Sequence, residues 1–142
     1  MALPKLVREI MTSNITTIEP DAKLLDAVLI IRSSGFRHLP VVKDGKLVGL
    51  LSDRDVQRAA PSMFGEVTPE EYNRIFETTP VARVMVKEPQ TATPDMSVAE
   101  AVGIMHQNKY GALPVVDAGG KLAGILTTTD LLGLLNRVLS GS

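Results

Sequence analysis

The sequence predicts an α/β (α+β) fold made of two copies of one strand, helix, hairpin and helix unit. Three observations carry this expectation. The stretch VREIMTSNITTIEPDAKLLDAVLIIRSSGFRHLPVVKDGKLVGLLSDRDV from Val7 returns from Val81 as VARVMVKEPQTATPDMSVAEAVGIMHQNKYGALPVVDAGGKLAGILTTTDL. Each copy carries an apolar stripe at helical spacing. Each then carries two apolar runs around a glycine-bearing turn, the pattern of a hairpin. Met11 matches Met85, Thr17 matches Thr91, Pro20-Asp21 matches Pro94-Asp95, and Leu39-Pro40-Val41-Val42 matches Leu113-Pro114-Val115-Val116. The register slips by one residue at Gly120, so that Gly49 and Asp55 pair with Gly124 and Asp130. The period is longer than that of most solenoid repeats, which favours a duplicated unit.

Each copy opens on a short extended segment, Asn14 to Ile18 or Pro89 to Ala92, closed by Pro-Asp before a helix. Leu24, Ala27, Val28 and Ile31 line one face of the first helix, and Val98, Ala101, Val102 and Met105 line the second. Ser97 and Glu100 have capping-box spacing. Lys23 stands where the second copy has Ser97, so the first helix is expected to be capped less well, with Asp21 as a substitute. Asp44-Gly45 between apolar runs predicts a type I′ turn, which needs positive φ at both positions. Ala118-Gly119-Gly120 is one residue longer and predicts a three-residue loop with a bulge. Pro40 and Pro114 cannot donate to a ladder, so each should sit at a strand start or a free edge. Between the copies, Thr68-Pro69-Glu70-Glu71 starts a further helix, with Tyr72, Ile75 and Phe76 as its stripe. The expected division is 7–60, a helical connector 61–80, and 81–139.

At 142 residues the chain has one ordinary domain's length, or two small halves sharing a core. A net charge of −1 and 4% aromatic residues give no footprint for nucleic acid. With no cysteine, disulfides, thiol catalysis and cysteine-ligated metals are excluded. The N-terminus lacks a signal peptide's apolar core. The apolar stretch Leu24 to Ile31 is interrupted by Asp26 and too short to span a bilayer, so no membrane insertion and a cytoplasmic location are expected.

The ordered set, with -LPVV-, the glycine turn and -GLLSxxD- ahead of a closing helix appearing in tandem, resembles a pair of cystathionine-β-synthase (CBS) domains from about Val7 to Leu135. The resemblance implies β-α-β-β-α units packed through their sheets about a pseudo-two-fold axis, with two clefts between them, in a disc-like homodimer. It also implies an adenosine-containing regulatory ligand (AMP, ADP, ATP, S-adenosylmethionine or a dinucleotide), no required cofactor, and a signal passed in trans to an enzyme or transporter. One implied cleft combines Ser13 to Thr17, including Thr16, and Phe36-Arg37-His38 with Ile125, Thr127 and Asp130. The other combines Lys87 to Thr91 and Tyr110-Gly111-Ala112 with Leu50, Ser52, Arg54 and Asp55.

Ser52 to Asp55 and Thr127 to Asp130 are complete as helix capping boxes. They also suit a nucleotide, since a helix start favours anions and an ionised Asp accepts both hydroxyls of a ribose. Arg37 and His38 stand opposite Gly111 and Ala112 in the repeat, and Arg54 opposite Thr129. These cations either engage ligand phosphates or are solvated surface charges. His106 is expected on a helix surface, His38 has either a structural or a phosphate- and pH-sensing role, and no cluster suggests a metal. Met11 and Met85 are expected in the core. Leu131 to Leu135, with Val138 and Leu139, hold more leucine than one buried face requires, which suggests a dimer contact. Nothing supplies an activated nucleophile with its base, so no catalytic residue is expected. The alternatives are a dimeric assembly module without ligand, and, distantly, a nucleotide hydrolase. An acetoin-utilisation-type accessory also fits the family, although such proteins usually carry an additional C-terminal domain.

Overall fold

The computed structural model describes residues 3–60 and 67–141; the first part of the expected connector, Pro61 to Glu66, lies outside the described residues. In chain order come α1 (Leu24–Ser34), β1 (His38–Lys43), β2 (Lys46–Ser52), α2 (Asp53–Ala59), α3 (Pro69–Thr78), β3 (Val86–Lys87), α4 (Val98–Asn108), β4 (Ala112–Val116), β5 (Leu122–Thr127) and α5 (Thr128–Ser140). Single 3₁₀ turns at Val7–Glu9 and Val81–Arg83 recur in equivalent places of the repeat.

Two compact units result, Thr16–Glu88 and Pro89–Ser142, the latter completed by Met1–Ile15. We refer to them by their closing aspartates, the Asp55 unit and the Asp130 unit. The sequence copies and the compact units thus divide the chain at different places. The cause lies in the short stretch that precedes each copy. Thr12 exchanges both backbone hydrogen bonds with Ile125, at 2.8 and 2.9 Å, and β3 pairs antiparallel with Gly49 and Leu50 of β2. Each leading stretch therefore completes the sheet of the unit whose hairpin comes from the other copy.

The two recurrent methionines follow from the same exchange. A Cβ built on Gly124 would lie 2.7 Å from the Met11 sulfur and 2.9 Å from the Thr12 carbonyl oxygen. One built on Gly49 would lie 2.9 Å from Met85 Cγ, with no backbone atom among its nearest neighbours. Each thioether thus covers a strand glycine, a closer partner than the general core expected from sequence. Gly124→Ala must displace backbone and is expected to cost about 1–3 kcal/mol, the range for overpacking. Gly49→Ala meets only a flexible side chain and should cost less. Urea unfolding of the two variants gives the order.

The hairpins form as their turn residues require. Asp44 and Gly45 both have positive φ, 52° and 79°, and make the type I′ turn. In the longer loop Gly120 takes φ 81°, while Asp117 Oδ1 accepts from the amides of Gly119 and Lys121 at 2.9 and 3.0 Å. Both prolines lie within their strands, on the edge away from the hairpin partner, where the opening segment makes its bridge. Pro40 and Pro114 accept from Ile18 and Ala92, at 3.1 and 2.9 Å, but have no N–H to return. That missing donor limits the opening strand of each unit to one parallel bridge, Ile18 to Val41 and Ala92 to Val115.

The helices cap mostly as their first residues predict. Ser97 and Thr68 each accept from the amide three residues on, at 3.0 and 3.1 Å. For α1 the substitute is Asp26, which accepts from the Lys23 amide at 3.0 Å; Asp21 does not fill that role. The reason is reach, because an acid at the third helical position folds back onto the first free N–H. Leu24, Ala27, Leu39, Val41, Leu51, Val56 and Val81 form the core of the Asp55 unit, and Phe76 of α3 packs against it. Val7, Ala92, Ala101, Met105, Leu113, Val115 and Leu126 form the other core. Val102, expected on the buried stripe of α4, is 36% exposed and lies at its margin.

Candidate functional site

In the Asp55 unit the β1–β2 ladder brings His38 opposite Ser52, while the Asp53 amide donates to the Arg37 carbonyl at 2.8 Å. The chain then turns directly from strand into helix. Ser52 Oγ accepts from the Asp55 amide at 3.0 Å, and Asp55 Oδ2 accepts from the Ser52 amide at 2.9 Å. Arg54 is exposed on the turn between them. Lys87 pairs with Gly49, next to Leu50, on the far side of β2 from β1. Thr16 belongs to this unit and is half-buried. Arg37, His38, Ser52, Arg54 and Asp55 thus lie at one end of the β1–β2 ladder, while Leu50, opposite Pro40, and Lys87, opposite Gly49, lie at its middle.

The Asp130 unit repeats the scaffold with different chemistry. Ala112 pairs with Thr127, and the Thr128 amide donates to the Gly111 carbonyl at 3.1 Å. Thr127 Oγ1 accepts from the Asp130 amide at 3.3 Å. Asp130 Oδ2 accepts from both the amide and the hydroxyl of Thr127, at 2.9 and 3.1 Å. Tyr110 is 39% exposed at the end of α4, and Ile125 is buried in β5. The cations of the first unit have no counterpart here, since Gly111, Ala112 and Thr129 replace Arg37, His38 and Arg54.

Thr12 was not among the residues expected at the site. Its hydroxyl donates to Asp130 Oδ1 at 2.9 Å, within the same unit. The signal lay in the repeat alignment, where Thr12 falls opposite Val86, a residue with no hydroxyl to offer.

His38 is half-buried, and burial holds its imidazole below the ordinary value of 6.5; the Asp55 carboxylate opposes this and the Arg37 cation adds to it. A depressed histidine pKa means the unfolded chain binds the proton more tightly. Its contribution to stability is therefore present above about pH 6.5 and is lost as pH falls through the folded value. Urea midpoints should fall on acidification across that window, and His38→Gln should flatten the slope. His106 lies exposed on α4. Among the described residues no group of His, Cys, Asp and Glu could hold a metal ion, and no helix is long and apolar enough to cross a membrane.

Comparison with known proteins agrees with the duplicated architecture. A CBS domain model matches residues 7–62 and 81–137. A CBS domain-containing protein of Dictyostelium discoideum is 35% identical, over 94% of this chain and 93% of its own. Among solved structures, the AMP complex of the Arabidopsis thaliana protein CBSX2 is 27% identical with a TM-score of 0.78, covering 94% of this chain and 97% of that one. The acetoin utilization protein AcuB of Vibrio cholerae is 30% identical with a TM-score of 0.79, covering 97% and 95%.

Proposed function

Because the chain belongs to the CBS domain family and carries the domain twice, we propose that it is a regulatory module that binds an adenosine-containing ligand, AMP first among them, and signals in trans. The observation that carries this reading is the AMP complex of a relative that matches nearly end to end. The site chemistry supports it. A carboxylate closing a Ser/Thr-x-x-Asp turn with free acceptor positions can take ribose hydroxyls, and Ser52, Thr127, Leu50, Ile125, Tyr110, Gly111, Ala112 and Thr16 are the surrounding contacts proposed from the family pattern. Arg37, Arg54 and Lys87 supply the positive charge, and His38 a neutral donor, that a phosphate needs. No catalytic role is assigned to any residue, and the module acts in the cytoplasm on a target enzyme or transporter.

A homodimer belongs to the same proposal. Leu132, Leu135, Val138 and Leu139 are 43–76% exposed along α5, at spacings that place them on one stripe. That stripe also favours a second reading, a dimeric assembly platform with no ligand.

A melting-temperature panel with AMP, ADP, ATP and S-adenosylmethionine separates the two. The proposal expects AMP to raise the midpoint and Asp55→Ala to remove the rise. No shift with any of the four would leave the assembly reading in its place.

A further inference from the structure

The geometry points to Thr12 as a specificity-determining residue that keeps the Asp130 unit from clamping a nucleoside diol, leaving the chain with one nucleotide site of two. This inference rests on the nucleotide-binding reading above. An ionised carboxylate offers about four acceptor positions. Asp130 already uses three, accepting from Thr12 Oγ1, the Thr127 amide and the Thr127 hydroxyl. Asp55 accepts from the Ser52 amide alone among the described residues. A vicinal diol donates two hydrogen bonds, so Asp55 has room for both hydroxyls and Asp130 has room for one.

The difference is set by one position of the repeat. Thr12 and Val86 pair with equivalent strand residues, Ile125 and Leu50, so their side chains hold equivalent places in the two units. Only the threonine carries a donor. Its hydroxyl stands in for a ligand hydroxyl at Asp130, whereas Val86 leaves Asp55 open. Two of the cations, Arg54 and Lys87, also belong to the Asp55 unit. The free acceptor positions of the carboxylates therefore favour the Asp55 unit for the diol.

The test is the stoichiometry of AMP binding to the full chain by isothermal titration calorimetry, for wild type, Thr12→Val and Thr12→Ser. Valine keeps the β-branch and the backbone bridge to Ile125 while removing the donor. The expected result is one AMP per chain for wild type and for Thr12→Ser. Thr12→Val should take up a second AMP, at least tenfold tighter than any second binding by wild type. Two equivalent sites in wild type, or a Thr12→Val titration no different from wild type, overturns the role of Thr12. If Asp55→Ala still abolishes binding in that case, the nucleotide-binding reading survives. Absence of AMP binding in all three proteins overturns both.

Discussion

Leu39→Ala and Leu113→Ala are each expected to lower stability by about 2–5 kcal/mol, the range for truncating a well-packed core leucine. Both side chains are at most 1% exposed, and each occupies the same position of its -LPVV- strand. Leu39 packs with Leu24, Ala27, Leu51 and Val56, and Leu113 with Ala101, Met105 and Leu126. Two costs add at each site, the transfer energy lost with the removed methyl groups and the cavity that rigid neighbours cannot close. Since small domains have only about 5–15 kcal/mol to lose, either change removes a large fraction of the total. Urea unfolding monitored by circular dichroism measures it. A loss below about 1 kcal/mol at either position would mean that its cluster is not a packed core.

Saturating AMP is expected to be the second large effect. A ligand that binds only the folded chain stabilises it by about 2.7 kcal/mol at a hundredfold excess over Kd. Asp55→Ala should abolish that gain. Its own cost is the hydrogen bond to the Ser52 amide, about 0.5–1.5 kcal/mol. The two quantities separate in one experiment, because the capping loss appears without AMP and the ligand response only with it. Loss of stability with an unchanged AMP response would reduce Asp55 to a capping residue.

Much of the fold could be read from the chain because local rules and the repeat agreed. The Asp44-Gly45 turn, the Gly120 loop and the caps at Ser52, Ser97 and Thr127 each follow from residues within four positions of one another. What escaped the reading was nonlocal. No spacing rule shows that Met11 covers Gly124, 113 positions away and in the other copy. The opening strands shrank to single bridges for a reason that was present in Pro40 and Pro114, but it takes effect only across the sheet edge. At the site, Ser52 to Asp55 and Thr127 to Asp130 were visible as motifs, and so was their contrast in charge. The Thr12 hydroxyl bond to Asp130 was hidden, since its two partners are 118 positions apart. A repeat alignment read for its mismatches, Thr12 against Val86, is the route by which sequence could have found it.

Calorimetric titration of AMP into the 142-residue chain tests the central claim most directly. The account predicts saturable binding at micromolar Kd, about −8 kcal/mol at standard state, that disappears in Asp55→Ala. A flat titration of a folded wild-type chain, or binding that Asp55→Ala leaves intact, would contradict it.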